Sequence, residues 1–125
     1  MLKKILVVDD EVVMTDTLQE LFQSRGYDVL IANDGEDALV KVRAGSPDLI
    51  VLDIVMPKLD GMKVAQALRS DKTYKDIPIV MLTARVDIED TKEGLGLGAA
   101  AYVAKPFHVK TLLGIVDGLI GSSLT

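Results

Sequence analysis

Asp9 and Asp10 stand directly behind the apolar run Ile5 to Val8, with Glu11 after them, and Asp53 stands behind a second apolar run, Leu49 to Leu52. A carboxylate that closes a buried run has no comfortable role in packing, because a buried charge is costly unless something pairs with it. Carboxylates gathered at one rim repel each other unless a cation joins them. An all-oxygen set without His or Cys suits a hard ion, Mg²⁺ or Mn²⁺ in its place, which takes one or two carboxylates and keeps several waters. Lys105, after the run Ala101 to Ala104, offers a positive charge for phosphoryl oxygens, and Thr83, closing the run from Ile79, offers a neutral hydroxyl. Phosphoryl transfer needs little beyond such positioning and charge neutralisation, and a carboxylate can itself be the nucleophile, giving an aspartyl phosphate. The sequence has no GxxxxGK[ST] loop and no strand-following GxGxxG, so ATP is a poor direct donor.

These residues can act together only if the chain brings them to one place. Short apolar runs at Lys4 to Val8, Val29 to Ala32, Leu49 to Leu52, Ile79 to Thr83 and Ala101 to Ala104 mostly lack the alternation of a half-wet strand, and they read as five buried strands. Between them lie stripes of helical period: Met14, Leu18, Leu21 and Phe22; Ala38, Leu39 and Val42; Met62, Ala65 and Leu68; a weaker Ile88, Thr91 and Leu95; and a last stripe of Val109, Leu112, Leu113, Val116 and Ile120. Gly26 follows the first stripe, Asp34-Gly35 makes a turn before the second, and Gly45-Ser46-Pro47 stops it. Strands alternating with helices predict an α/β domain, a doubly wound five-stranded parallel sheet with helices on both faces. The flavodoxin-like order 2-1-3-4-5 puts the first and third strands side by side, with ligands expected outside the carboxyl ends of the strands at that switch point. Asp9, Asp10, Asp53, Thr83 and Lys105 all fall at those ends.

The 125 residues suit one domain, with 1–121 as its body and 122–125 as a tail. A net charge of −5 without any basic block argues against direct nucleic-acid binding. No apolar run approaches the ~20 residues of a membrane span, so membrane insertion is not expected and a cytoplasmic location is the default. With no cysteine, thiolate catalysis, disulfides and Cys-ligated zinc are excluded.

The segments KILVVDDE, DLIVLDIVMPKLDG, PIVMLTA and AYVAKPF, in that order and spacing, resemble the receiver domain of bacterial two-component response regulators, chemotaxis-regulator-like and single-domain, over nearly the whole chain. The resemblance implies that Asp53 is the phosphoacceptor and that Asp10, Asp53 and the backbone carbonyl of Val55 are direct Mg²⁺ ligands, with Asp9 reaching the ion through water. It implies that Lys105 pairs with a phosphoryl oxygen from a cis Lys105–Pro106 peptide, that the Thr83 hydroxyl and the Ala84 backbone N–H take up others, and that Tyr102 turns inward when Thr83 moves. The expected phosphodonor is a sensor histidine kinase, a phosphotransfer protein or a small acyl phosphate. The expected output is an unknown protein contacting the face made by the fourth helix, fifth strand and fifth helix, since the chain ends at Thr125 without an effector segment. On this reading the chain is a switch and not an enzyme acting on other substrates.

Blander roles stand beside these. Asp10 could only cap the first helix, and Glu11 is read as compensating the helix dipole alone. Lys105 could be a solvated loop lysine, and Thr83 a β-branched strand end. Met56, Pro57, Asp60 and Gly61 read as a shaped loop with a φ-permissive glycine, and His108 as a surface residue at a helix start. The run Gly94 to Gly98 lacks the context of a phosphate loop and is read as loosening the fourth helix. Two departures from the family pattern matter. Ala100 and Ala101 stand where many members carry an acidic pair, which argues for a monomer or weak dimer. Val55 cannot orient an attacking water, and Arg85 is placed over the phosphoryl group, which together imply slow self-hydrolysis. Rival readings are a phosphorylation-independent interaction domain, which would be expected to lack Asp10, Asp53 or Lys105, and a dehalogenase-like phosphatase, which would want an acid at Val55.

Overall fold

A computed structural model describes residues 2–54, 61–83 and 99–121. The expected fourth helix, the Gly94 to Gly98 run, Val55, Met56, Pro57, Asp60, Ala84, Arg85 and the tail 122–125 lie outside the described residues. In chain order the elements are β1 (Lys4–Val8), α1 (Val12–Ser24), β2 (Asp28–Ala32), α2 (Gly35–Gly45), β3 (Leu49–Leu52), α3 (Gly61–Arg69), β4 (Ile79–Thr83), β5 (Ala101–Ala104) and α4 (Val109–Ile120), the last formed by the fifth apolar stripe. The sheet is parallel throughout, in the order β2-β1-β3-β4-β5.

β1, β3 and β4 are almost uniformly apolar because both faces of the sheet are covered there. β2 and β5, expected to be buried, are largely half-buried because they lie at the sheet's edges. Ile5 and Val7 of β1, Leu49 and Val51 of β3, and Val80 and Leu82 of β4 pack with Leu18 and Phe22 of α1 and Leu112 and Val116 of α4. Their neighbours Leu6, Val8, Ile50, Leu52, Ile79 and Met81 face the other way, onto Ala38 and Val42 of α2 and Val64, Ala65 and Leu68 of α3. Successive residues therefore serve opposite layers, and burying each large aliphatic side chain contributes about 1.5–3 kcal/mol. Helix ends follow local chemistry. The Asp34 carboxylate accepts the Asp37 N–H at 2.8 Å and caps α2, with Glu36 and Asp37 in its first turn. Gly26 takes φ 87 one residue beyond the Arg25 C-cap of α1, while Ser46, and not a glycine, takes the left-handed position that ends α2. Val109, counted in the apolar stripe of α4, is 46% exposed because it opens the helix at the rim of the layer.

One polar cluster had no signature in the sequence. The buried Tyr27, edge-on to Phe22 at 6.4 Å between ring centres, donates its hydroxyl to the Asp117 carboxylate and lies 2.9 Å from the Gly121 carbonyl oxygen. Arg25 closes the cluster with a 2.5 Å ion pair to Asp117. The end of α4 is thereby fastened to the turn between α1 and β2. Burial and the neighbouring Asp117 hold the Tyr27 phenol far above its usual range. Burial pushes the Asp117 carboxyl up, but the Tyr27 hydroxyl and Arg25 outweigh it, and the net shift is downward.

Candidate functional site

The site follows from register. Val8 of β1 lies opposite Leu52 of β3, so the next residue of each strand, Asp9 and Asp53, leaves the sheet at the same level. Backbone bonds hold both there: Asp53 N–H donates to the Val8 carbonyl at 3.0 Å and Asp9 N–H to the Ala32 carbonyl at 3.1 Å. Both side chains are buried, Asp9 at 1% and Asp53 at 5% exposure, while Asp10 is exposed. Asp9, Asp10 and Asp53 each offer one carboxylate oxygen that lies within 4.8 Å of the other two.

Lys105 reaches this cluster from the far side of the sheet, one residue beyond β5 and joined to Pro106 by a cis peptide bond. Its ammonium lies 2.7 Å from Asp9 Oδ2, 3.4 Å from Asp53 Oδ2 and 3.7 Å from Glu11 Oε1. Burial alone would pull the lysine pKa down, but the hydrogen bond to Asp9 and the charge of Asp53 outweigh it and raise the pKa. The two oxygens of Asp9 are both engaged, Oδ1 by the Glu11 N–H at 3.0 Å and Oδ2 by Lys105. Asp10 forms no ion pair among the described residues.

Thr83 ends β4 opposite Ala104 of β5, and its backbone is thus at the same edge. Tyr102 pairs with Met81 and packs, half-buried, against the layer formed with α2 and α3. Val55 and Ala84 lie outside the described residues. Two participants were not legible beforehand. Glu11, read as serving the helix dipole alone, is the N-cap residue of α1 without a side-chain capping bond, and its carboxylate faces Lys105. Asn33 donates through Nδ2 to the Asp9 carbonyl at 3.3 Å, across a contact no sequence spacing announces. His108 is the exposed N-cap residue of α4 and makes no side-chain capping bond. Gly61 does not adopt a positive φ, so permissive backbone geometry is not the reason for a glycine there.

A doubly wound parallel sheet with three carboxylates and one lysine at its carboxyl edge defines a receiver-type α/β domain. The chain belongs to the response regulator receiver domain family, whose model matches residues 5–117. It is 46% identical over 121 residues to the alkaline phosphatase synthesis transcriptional regulatory protein PhoP of Bacillus subtilis, covering 97% of this chain and 50% of that protein. It is 48% identical over 118 residues to the probable transcriptional regulator ycf27 of Cyanophora paradoxa, covering 94% of this chain and 48% of the relative. The chain thus spans about half the length of these curated relatives. Among solved structures it is similar to the chemotaxis protein CheY4 of Vibrio cholerae, at 34% identity and a TM-score of 0.90, covering 96% of this chain and 100% of that one. Among the described residues no helix is long and apolar enough to cross a membrane.

Proposed function

We propose that this domain is a phosphorylation switch in which Asp53 accepts a phosphoryl group from the phosphohistidine of a sensor kinase or phosphotransfer protein, or from a small acyl phosphate. The observation that carries the reading is the convergence of Asp9, Asp10, Asp53 and Lys105 at one edge of the sheet. The donor set fits a hard divalent cation: three carboxylates, all oxygen, each offering one oxygen within 4.8 Å of the others. Asp10, Asp53 and the Val55 carbonyl would hold Mg²⁺ or Mn²⁺ directly. Asp9, whose oxygens already serve Glu11 and Lys105, would hold it through water. When bound, the cation supplies neutralising charge for the phosphoryl oxygens.

The chain's own groups do the rest. An Asp53 carboxylate oxygen attacks phosphorus in line, the P–N bond of phosphohistidine or the P–O bond of an acyl phosphate breaks, and its electron pair leaves with the nitrogen or the acyl oxygen. Lys105 exchanges its contact with Asp9 for a phosphoryl oxygen, while the Thr83 hydroxyl and the Ala84 N–H donate to others. Drawing Thr83 inward makes room for Tyr102 to follow, which alters the face formed by the expected fourth helix, β5 and α4. Relatives of about twice this length are named as transcriptional regulators, so the output of that face is a DNA-binding effector, in the same polypeptide or a partner. Val55, two residues after Asp53, gives no polar group to orient a hydrolytic water, so the phosphorylated state is long-lived.

Incubation with acetyl phosphate and Mg²⁺, followed by intact mass and hydroxylamine sensitivity, tests the acceptor. One phosphoryl group is expected on the native chain and none on Asp53→Asn. A label that survives Asp53→Asn refutes the assignment, and no label from acetyl phosphate or a phosphohistidine donor favours a phosphorylation-independent interaction domain.

A further inference from the structure

We propose that Gly61 is a positioning residue for the acceptor carboxylate, a role that rests on Asp53 being the acceptor. Gly61 opens α3, is buried, and donates its N–H to the Ile54 carbonyl at 2.9 Å, which ties the first residue of α3 to the residue that follows Asp53. A Cβ built on Gly61 would lie 2.2 Å from the Asp53 carbonyl oxygen, 2.7 Å from the Ile54 Cα and 2.9 Å from the Asp53 carbonyl carbon. All three are backbone atoms, so no side chain can swing aside.

On its other side the Asp53 peptide is fixed to β1 through the 3.0 Å bond from its N–H to the Val8 carbonyl. Asp53 is therefore gripped between β1 and the first residue of α3. Any side chain at 61 must lift α3 or displace the main chain that carries the carboxylate. That carboxylate works against Lys105 at 3.4 Å and against two other acids within 4.8 Å. Misplacement on the order of 1 Å costs about 10²-fold in rate in sites that act by orientation.

Gly45 provides a matched comparison. A Cβ there would meet Leu30 Cδ1 at 2.4 Å, the mobile end of a side chain, near Lys4 at the opposite edge of the sheet. Purified native, Gly61→Ala and Gly45→Ala chains are compared for Mg²⁺-dependent labelling by acetyl phosphate, as rate against donor concentration per folded molecule, with folding followed by circular dichroism. Gly45→Ala should label at the native rate, and Gly61→Ala should lose about 10²-fold in the saturating rate, more than in donor affinity. A folded Gly61→Ala that labels within a few-fold of native overturns the proposal. If Gly61→Ala does not fold, the native chain carries the test by NMR during a MgCl₂ titration. The Gly61 Hα should then shift with the same midpoint as the Asp53 carbonyl, and a Gly61 signal that stays fixed while Asp53 titrates overturns the proposal. Absence of label on the native chain, or label persisting in Asp53→Asn, defeats the acceptor assignment itself, and so is distinguished from failure of the Gly61 role.

Discussion

Removing Asp10 should stabilise the metal-free protein. Its carboxylate lies within 4.8 Å of those of Asp9 and Asp53, while Lys105 is spent on Asp9 and Asp53. At that separation each like-charge pair costs about 1 kcal/mol in a water-like dielectric and about 3.5 kcal/mol at an effective dielectric of 20. Asp10 is exposed, so the lower figure applies, and attraction to Lys105 cancels about one of the two repulsions. Losing a negative charge ahead of α1 gives back roughly 0.3 kcal/mol of dipole stabilisation. The net expectation for Asp10→Ala without Mg²⁺ is a gain of about 0.5–1 kcal/mol, a rise of about 2–4 °C in Tm. With Mg²⁺ at a hundredfold excess over its dissociation constant the native chain gains about 2.7 kcal/mol and the variant almost nothing, so the order of stability reverses. Urea unfolding followed by circular dichroism, with and without MgCl₂ at constant ionic strength, reads both signs. In ~1 M NaCl, where the screening length falls to ~3 Å, the metal-free gain should shrink. A metal-free Asp10→Ala that is less stable than native, or Mg²⁺ stabilising both chains equally, would refute the reasoning.

Four further substitutions have expected outcomes. Lys105→Met should abolish phosphoryl transfer yet bind Mg²⁺ several-fold more tightly, because the ammonium competing for Asp9 and Asp53 is gone; calorimetric titration decides this. Tyr27→Phe should cost about 1.5–3 kcal/mol in denaturant unfolding, since it removes a hydrogen bond to the half-buried Asp117 carboxylate. The raised Tyr27 pKa means the native chain keeps this stability below the ordinary tyrosine range near ~10 and loses it as pH rises through and beyond that range. The lowered Asp117 pKa means its contribution is present above the ordinary aspartate range near ~4 and disappears as pH falls below it. Tyr27→Phe should flatten the alkaline limb of the stability profile and Asp117→Asn the acid limb. Val55→Asn should speed loss of the label after the donor is removed, and an unchanged lifetime would dismiss valine as the cause of slow hydrolysis.

The sheet was readable because β1, β3 and β4 are buried on both faces, which leaves short apolar runs without alternation, such as ILVV and LIVL, recurring between stripes of helical period. The acids were readable because Asp9 and Asp53 interrupt those runs where packing gives them no role. The strand pattern already put Lys105 at the same sheet edge, but its partners are 96 and 52 residues away, so its aim into the site came only from the family resemblance. Glu11 was misjudged because a helix-start acid has an adequate local explanation, and nothing local reveals a lysine 3.7 Å away. The Arg25, Tyr27 and Asp117 cluster was invisible for the same reason: a separation of some 90 residues leaves no periodicity. Gly61 looked like a turn glycine, and only the packed backbone shows that its missing Cβ is what matters.

The pairing of Val8 with Leu52 also bears on how faithfully such a domain is made. Sliding β3 by one residue against β1 would move Asp53 off the level of Asp9, but it would also turn Leu49 and Val51 toward the layer that Ile50 and Leu52 fill. A mis-set acid pair therefore comes only with a broken core. The same alternation that stabilises the fold proofreads the site, so molecules that reach the compact state arrive with their acids aligned.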